Sequence, residues 1–404
     1  MNPGQLDNRD RQELRRRRMA EAPAILRGGF RPFFLGAGVW GALAITIWLG
    51  ALGVGAARIG ALDPLGWHRH EMLFGFVGAA IGGFALTAVP NWTGRLPIAG
   101  APLGALALWW LAARVLILAA PDLPLVLLAA IDGGFYLGLA ALLLREILQA
   151  KNRNIPVAIV IGLFGLADLA DYGGAAGWVG FNVGARSAIA LAVTLVSLIG
   201  GRIVPSFTRN WMQRERIGCP LPTQPTRFDA AVVIATAIAL AAWAFAGSPV
   251  LTGIALAAAA ILQIARLARW RGWCTFAEPI VLVLHLGYLW IPIGLFLLSA
   301  ASLGLPLPQS AGIHALTVGA LAGMILAVMT RATLGHTGHA LHADMVTRVS
   351  YLALHLGAAA RVLAALLPEV YLSLIYIAGG LWIAAFALFS ARYAPLLTRP
   401  RVGT

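Results

Sequence analysis

Long apolar runs recur along almost the whole chain, and they constrain its fold more than any other feature. Each run has about 20 residues, enough for a helix to cross the hydrocarbon core of a bilayer. The 404 residues are 60% hydrophobic and 11% charged, so no soluble fold could bury this apolar surface. Proline, glycine and charged residues separate the runs. This predicts an all-α polytopic membrane protein with about twelve transmembrane helices, at 33–57, 71–90, 98–120, 123–144, 154–172, 182–205, 228–246, 250–270, 278–300, 309–333, 347–367 and 370–394.

The basic residues predict the orientation of these spans. With the amino terminus in the cytoplasm, most of the 30 Lys and Arg residues fall in cytoplasmic segments. That asymmetry fits the positive-inside rule only with an even number of crossings, so both termini are predicted to be cytoplasmic. The domains are then a basic, disordered tail at 1–30, one transmembrane domain at 31–395 and a short tail at 396–404. We interpret the net charge of +14 as an orientation signal and contact with anionic lipid, not nucleic-acid binding.

Ionisable side chains are costly at membrane depth, so the histidines are candidates for function. His68 and His70 open the second span, and His314 opens the tenth span on the same side. Residues two apart on a helix point about 200° away from each other, so the first two would serve different sites. Neutral imidazole is a common ligand for iron and copper. The alternative is that these residues are interfacial and reach the lipid headgroups.

Two further histidines have distinctive neighbours. His285 lies deep in the ninth span, and Tyr288 follows one helical turn later, where its hydroxyl could donate to a bound ligand. The alternative is a core histidine satisfied by a nearby hydroxyl. His336 lies between two glycines, which predicts that the tenth helix has ended and that a turn holds the imidazole. No copy of the histidine-bearing segment of the first half is evident in the second half, so no internal repeat is predicted.

Charged residues in or beside the spans suggest two roles. Arg95 and Arg331 are candidates for pairing with haem propionates, because a guanidinium fork matches a carboxylate; positive-inside anchoring explains them equally well. The other intramembrane charges are interpreted as structural pairs or a proton path; they are Arg114, Asp132, Asp168 and Arg361. Only two cysteines exist, which excludes a disulfide scaffold.

Six segments together resemble the NnrS family of haem- and copper-containing membrane proteins linked to nitric oxide metabolism. They are Phe30–Phe34, Trp67–Gly75, Leu86–Arg95, Leu284–Tyr288, His314–Thr317 and Leu334–Gly338. The resemblance implies twelve transmembrane helices, bound haem and copper, and a role in bacterial resistance to nitrosative stress. It places five residues at the family's histidine positions, namely His68, His70, His285, His314 and His336. His339 stands where arginine is usual in the family. The chain has no CxxCH motif, so the haem would be a non-covalent haem b.

The leading hypothesis is a multi-pass protein of the bacterial cytoplasmic membrane that binds or converts nitric oxide, or a species derived from it, at a histidine-ligated metal. If it is an enzyme, it is a haem and copper oxidoreductase with an electron donor that the sequence does not identify. Its partners would be the lipid bilayer, a small nitrogen-oxide ligand and a second copy of the chain in a homo-oligomer. The alternative is a secondary transporter that uses buried His, Asp and Arg residues as a proton relay.

Overall fold

The computed structural model describes residues 13, 16, 17, 19–245 and 247–402. Half of the predicted basic tail at 1–30 lies outside these residues, and the described half includes the short helical turn Ala24–Leu26. The described chain is helical with no strand, and twelve of its helices are long and apolar enough to cross a membrane. They are α1 Phe30–Gly53, α2 Pro64–Thr93, α3 Ala101–Ala119, α4 Leu125–Gln149, α5 Ile155–Ala175, α6 Val183–Arg214, α7 Arg227–Phe245, α8 Pro249–Cys274, α9 Pro279–Ser302, α10 Gln309–Thr337, α11 Met345–Leu366 and α12 Pro368–Thr398. The predicted fold class and the number of spans are confirmed.

Several helices extend further than the sequence predicts, and α6 and α10 show the physical reasons. α6 runs past Pro205 to Arg214, because a proline removes one backbone hydrogen bond without ending a helix whose flanking turns are packed among neighbours. α10 continues to Thr337 and ends at Gly338, whose φ of 83° is the left-handed C-cap conformation. The prediction that His336 lies in a turn is therefore wrong: it occupies the last turn of the helix.

Consecutive helices pack against each other, and α12 packs against α1, which closes the bundle. The three most buried helices are α2, α6 and α10. They enclose an apolar cavity of about 80 Å³, lined by side chains such as Ile81 of α2, Ile199 of α6 and Met324 of α10. Away from this centre, a disulfide joins Cys219, which follows α6, to Cys274 at the end of α8.

α2 and α10 share an interruption that the sequence does not reveal. In each, a short α-helical segment ends at a histidine, His70 or His314, and a π-helical segment follows before the α-helix resumes. The π-helical segments are Glu71–Val77 and Ala315–Ala322. Such segments are rare and occur frequently at functional sites.

The glycines of the two π-helical segments also indicate that α2 and α10 are equivalent. Gly75 and Gly319 each follow their histidine by five residues. A Cβ on Gly75 would lie 2.6 Å from the indole nitrogen of Trp40 of α1, and a Cβ on Gly319 would lie 2.3 Å from the indole ring of Trp290 of α9. Both helices then end at a left-handed glycine 24 residues after the histidine. The helix pairs α1–α2 and α9–α10 are therefore two versions of one motif, although no copy of the histidine-bearing segment is evident in the sequence.

Candidate metal centre and buried polar sites

His70 is the centre of a buried cluster of carboxylates. Its Nε2 lies 2.9 Å from Asp132 Oδ2 and 3.7 Å from Asp168 Oδ1, and its Nδ1 lies 3.2 Å from Asp171 Oδ2. One ligand atom from each of His70, Asp132 and Asp168 lies within 4.8 Å of the other two, and all three residues are buried. Imidazole with two carboxylates is a donor set that can hold a metal ion. We refer to His70, Asp132, Asp168 and Asp171 as the His70 cluster.

Arg114 of α3 connects this cluster to Glu71. Its Nη1 donates to both oxygens of Glu71 at 3.0 Å, and its Nη2 donates to Asp132 Oδ2. The indole N–H of Trp40 donates to Glu71 Oε2 at 2.7 Å. All of these groups are buried in the bundle, and Arg114 and Asp132, two of the intramembrane charges noted in the sequence, pair across helices.

The helices bring the cluster together at one end of the bundle. The side chain of Asp63 caps the start of α2 and accepts from the N–H groups of Leu65 and Gly66. His70 lies six residues after the start of α2, and Asp132 lies seven residues after the start of α4. Asp168 lies seven residues before the end of α5. At 1.5 Å per residue, the cluster lies about 10 Å inside that end. Asp168 and Asp171 are three residues apart within an apolar span, which is a helical spacing. That pattern could have identified both residues from the sequence, but only Asp168 was identified there.

His68 faces away from the His70 cluster. Its ring stacks on Trp48 of α1 with a centroid separation of 4.3 Å, and it lies within electrostatic range of His314 and Arg361. His68 and His70 therefore face different neighbours, as helical geometry predicted for residues two apart. We refer to His68, His314 and Arg361 as the outer histidine group.

His314 is oriented by its own helix. Its Nδ1 lies 2.7 Å from the carbonyl oxygen of Ser310. The carbonyl can only accept, so Nδ1 carries the proton, and the lone pair is on Nε2. A ligating imidazole that donates its other N–H to a backbone carbonyl is the usual arrangement at metal sites. Arg361 Nη1 is buried and has no hydrogen-bond partner among the described residues.

His285 belongs to a different region. Thr208 of α6 donates its hydroxyl proton to Val204, so the His285 Nε2–H, 2.8 Å away, donates to the Thr208 oxygen. The lone pair is then on the buried Nδ1, which has no hydrogen-bond partner in the described chain. A Cβ on Gly272 would lie 2.7 Å from this nitrogen. His285 is thus a core histidine held by a hydroxyl, as the sequence alternative supposed.

The Tyr288 hydroxyl already has partners. It donates to Gln263 Oε1 at 2.8 Å and accepts from Arg266 Nη1 at 3.0 Å. The Arg266 Nε in turn lies 3.0 Å from Asp229 Oδ1. In this structure, Tyr288 therefore belongs to a buried network between α6, α7, α8 and α9, and its proton does not point at an open site. The sequence analysis missed the other members of this network, which lie on separate helices.

The other sequence candidates are apart from these groups. Arg95 pairs with Glu146 at 2.5 Å, and the Arg331 guanidinium lies 4.0 Å from the ring centroid of Phe207. His336 is exposed and packs against Phe30 with a centroid separation of 5.2 Å. On α11, His355 Nδ1 accepts from the indole of Trp290 at 3.2 Å.

Fold and sites together define a polytopic helical membrane protein with ionisable groups gathered near one end of its inner helices. A family model described as NnrS protein matches residues 24–401. The chain therefore belongs to the NnrS family, as the sequence motifs predicted. A comparison with curated proteins finds no match to this chain.

Proposed function

We propose that this protein is a copper-containing membrane protein that binds or converts nitric oxide, or an anion derived from it, at the outer histidine group. Membership of the NnrS family supports a role related to nitric oxide. The observation that carries the copper assignment is that His68 of α2 and His314 of α10 lie within electrostatic range of each other and of Arg361. The proposed location is the bacterial cytoplasmic membrane, with both termini in the cytoplasm.

The donor set of the outer histidine group fits copper. Imidazole nitrogen is a common copper ligand, and the hydrogen bond from His314 Nδ1 to Ser310 leaves its Nε2 able to ligate. The buried His68 Nδ1 has no hydrogen-bond partner among the described residues. Copper bound here would supply one-electron chemistry and a coordination position for a nitrogen oxide.

Arg361 gives this group a preference for negative charge. Its unpartnered Nη1 is a hydrogen-bond donor in a half-buried position, where charge-assisted bonds to anions are strong. Arg361 can hold an anionic nitrogen oxide such as nitrite next to the imidazoles. It can also stabilise negative charge that develops on a bound neutral ligand.

Haem b, which the family resemblance also implies, fits these residues less well. No histidine lines the cavity between α2, α6 and α10, the pocket beside Arg95 and Glu146, or the pocket beside Trp109 and Arg145. The Nδ1 of His285 faces Gly272 at close range, and Arg95 and Arg331 are engaged with Glu146 and Phe207. The residues in this arrangement do not form a haem site, and we assign no step to haem.

Copper content tests the proposal. Purified protein should contain copper, and His68→Ala and His314→Ala should each lose most of it, because each removes one imidazole. His342→Ala is the matched control, since His342 is an exposed histidine in the segment between α10 and α11. Unchanged copper content in both variants would contradict the assignment.

Spectroscopy tests the link to nitrogen oxides. Adding nitrite to the oxidised protein should change the copper electron paramagnetic resonance spectrum, and Arg361→Met should weaken the nitrite response while keeping the copper. If the protein instead proved colourless and metal-free, yet moved a solute across liposomes, the alternative transporter hypothesis would replace this one.

A further inference from the structure

The His70 cluster has more negative charge than its protein partners neutralise. Four carboxylates are buried there, from Glu71, Asp132, Asp168 and Asp171. Two guanidinium groups, from Arg69 and Arg114, pair with them. With His70 neutral, an excess of two negative charges remains. An uncompensated charge is very costly away from water, so either bound protons or an additional cation must neutralise the cluster.

Within the His70 cluster, Asp168 is the residue that most clearly lacks a hydrogen-bond partner. Its side chain is fully buried, and neither of its oxygens accepts a hydrogen bond from any described residue. The Oδ1 of Asp132 is buried and unpartnered as well. Buried carboxylate oxygens ordinarily accept hydrogen bonds or coordinate metals. These oxygens belong to the two carboxylates that lie within ligand distance of His70.

His70 is held in the way that ligating histidines are usually held. Its Nδ1 lies 3.2 Å from Asp171 Oδ2, and Arg69 Nη2 lies 2.8 Å from the other oxygen of Asp171. If Nδ1 carries the proton and donates it to Asp171, the lone pair is on Nε2, which faces Asp132 and Asp168. A carboxylate behind the ligating imidazole fixes the ring and makes it more basic.

We propose that His70 Nε2 and the carboxylates of Asp132 and Asp168 bind one divalent metal ion, separate from the copper of the outer histidine group. Metal–nitrogen and metal–oxygen bonds of about 2.0–2.2 Å would place the ligand atoms about 3–3.5 Å apart, and the present spacing needs only small side-chain movements to reach this. One divalent ion neutralises the excess charge. The imidazole and carboxylate donors suit Mn²⁺, Fe²⁺ or Zn²⁺, and there is no thiolate or thioether to favour Cu⁺.

The residues of the site are buried, and the nearer end of the bundle is formed by the starts of α2 and α4 and the end of α5. The cluster lies about 10 Å inside that end. The half-buried Arg69 lies between the cluster and the surface, with its guanidinium 4.3 Å from the ring centroid of Phe181. Arg69 pairs with Asp171 and is the partly exposed residue beside the cluster. This site does not depend on the function proposed for the outer histidine group.

Metal titration of the full-length protein tests the site. Purified protein is stripped with a chelator and titrated with Mn²⁺, followed by electron paramagnetic resonance, with Zn²⁺ added as a competitor. We expect one Mn²⁺ per chain, displaced by Zn²⁺. Asp168→Asn should weaken Mn²⁺ binding at least tenfold, and Asp171→Asn should weaken it about 10–100-fold as a loss of support to a ligand. The absence of a stoichiometric Mn²⁺ or Zn²⁺ site in the wild-type protein would overturn the proposal.

Three comparisons keep the result specific. Asp122→Asn removes an exposed carboxylate from the segment between α3 and α4 and should leave Mn²⁺ binding unchanged. His68→Ala should lose copper but keep the Mn²⁺ site, which separates this proposal from the copper assignment. Metal-free Asp168→Asn should unfold at the same temperature as metal-free wild type or a higher one, because it removes an unpaired buried charge. If Asp168→Asn folded normally and bound Mn²⁺ as tightly as the wild type, the proposal would be wrong.

Discussion

Replacing Arg114 with methionine should destabilise the protein more than replacing any half-buried arginine. Arg114 is fully buried and makes three hydrogen bonds, two to Glu71 and one to Asp132. Arg114→Met keeps most of the side-chain volume but leaves both carboxylates without their cation. Breaking a buried ion pair in this way costs about 3–5 kcal/mol, because a buried charge is left uncompensated.

The free energy of unfolding can be measured by tryptophan fluorescence in mixed detergent micelles, with chelator present so that bound metal contributes nothing. Arg361→Met is the control: it also removes a membrane-embedded arginine, but one whose Nη1 has no hydrogen-bond partner among the described residues. We expect the control to change the free energy by no more than about 1 kcal/mol.

A second substitution identifies the cause of the loss. In the Arg114→Met background, Glu71→Gln removes one of the two orphaned charges and should recover about 1–2 kcal/mol, because a neutral amide is cheaper to bury than an unpaired carboxylate. If Arg114→Met unfolded within about 1 kcal/mol of wild type, or if Glu71→Gln gave no recovery, the account of Arg114 as the internal counter-ion would be refuted.

Three other predictions concern packing, pH and orientation. Gly319→Ala should cost about 1–3 kcal/mol by forcing a Cβ against the Trp290 ring, whereas Gly380→Ala, with open space, should be neutral in the same unfolding assay. Burial raises the pKa of Asp344, but hydrogen bonds led by that from Arg392 lower it from 3.8 to about 2. The stability lost in Asp344→Asn should therefore be largest above pH 4 and shrink as the pH falls towards 2 in thermal unfolding scans. A carboxyl-terminal reporter active only in the cytoplasm should be active; an inactive reporter would contradict the predicted orientation.

The sequence was sufficient to predict the helices because membrane insertion depends on a one-dimensional property. A run of apolar residues long enough to cross the bilayer must satisfy its backbone hydrogen bonds internally, so a helix follows. Helical geometry also separated His68 from His70 correctly, since residues two apart lie on different faces. Both inferences need only the order of residues along one helix.

The partners of the buried groups could not be predicted, because they depend on which helices become neighbours. Asp171 lies behind His70 only because α5 packs near the start of α2. Tyr288 was expected to face a ligand, yet α8 places Gln263 and Arg266 at its hydroxyl. No periodicity within α9 contains that information.

The equivalence of α2 and α10 means that His70 and His314 lie in similar backbone settings. In both helices a histidine ends the first α-helical segment, a π-helical segment follows, and a tryptophan from the preceding helix packs on a glycine five residues later. The surroundings have diverged in charge: His70 lies among carboxylates, whereas His314 lies near the cation Arg361. The difference in ligand preference must therefore come from the residues around each histidine, both on its own helix, such as Arg69 and Glu71 of α2, and on the neighbouring helices. Exchanging those surrounding residues while keeping the histidines should therefore convert one site into the other.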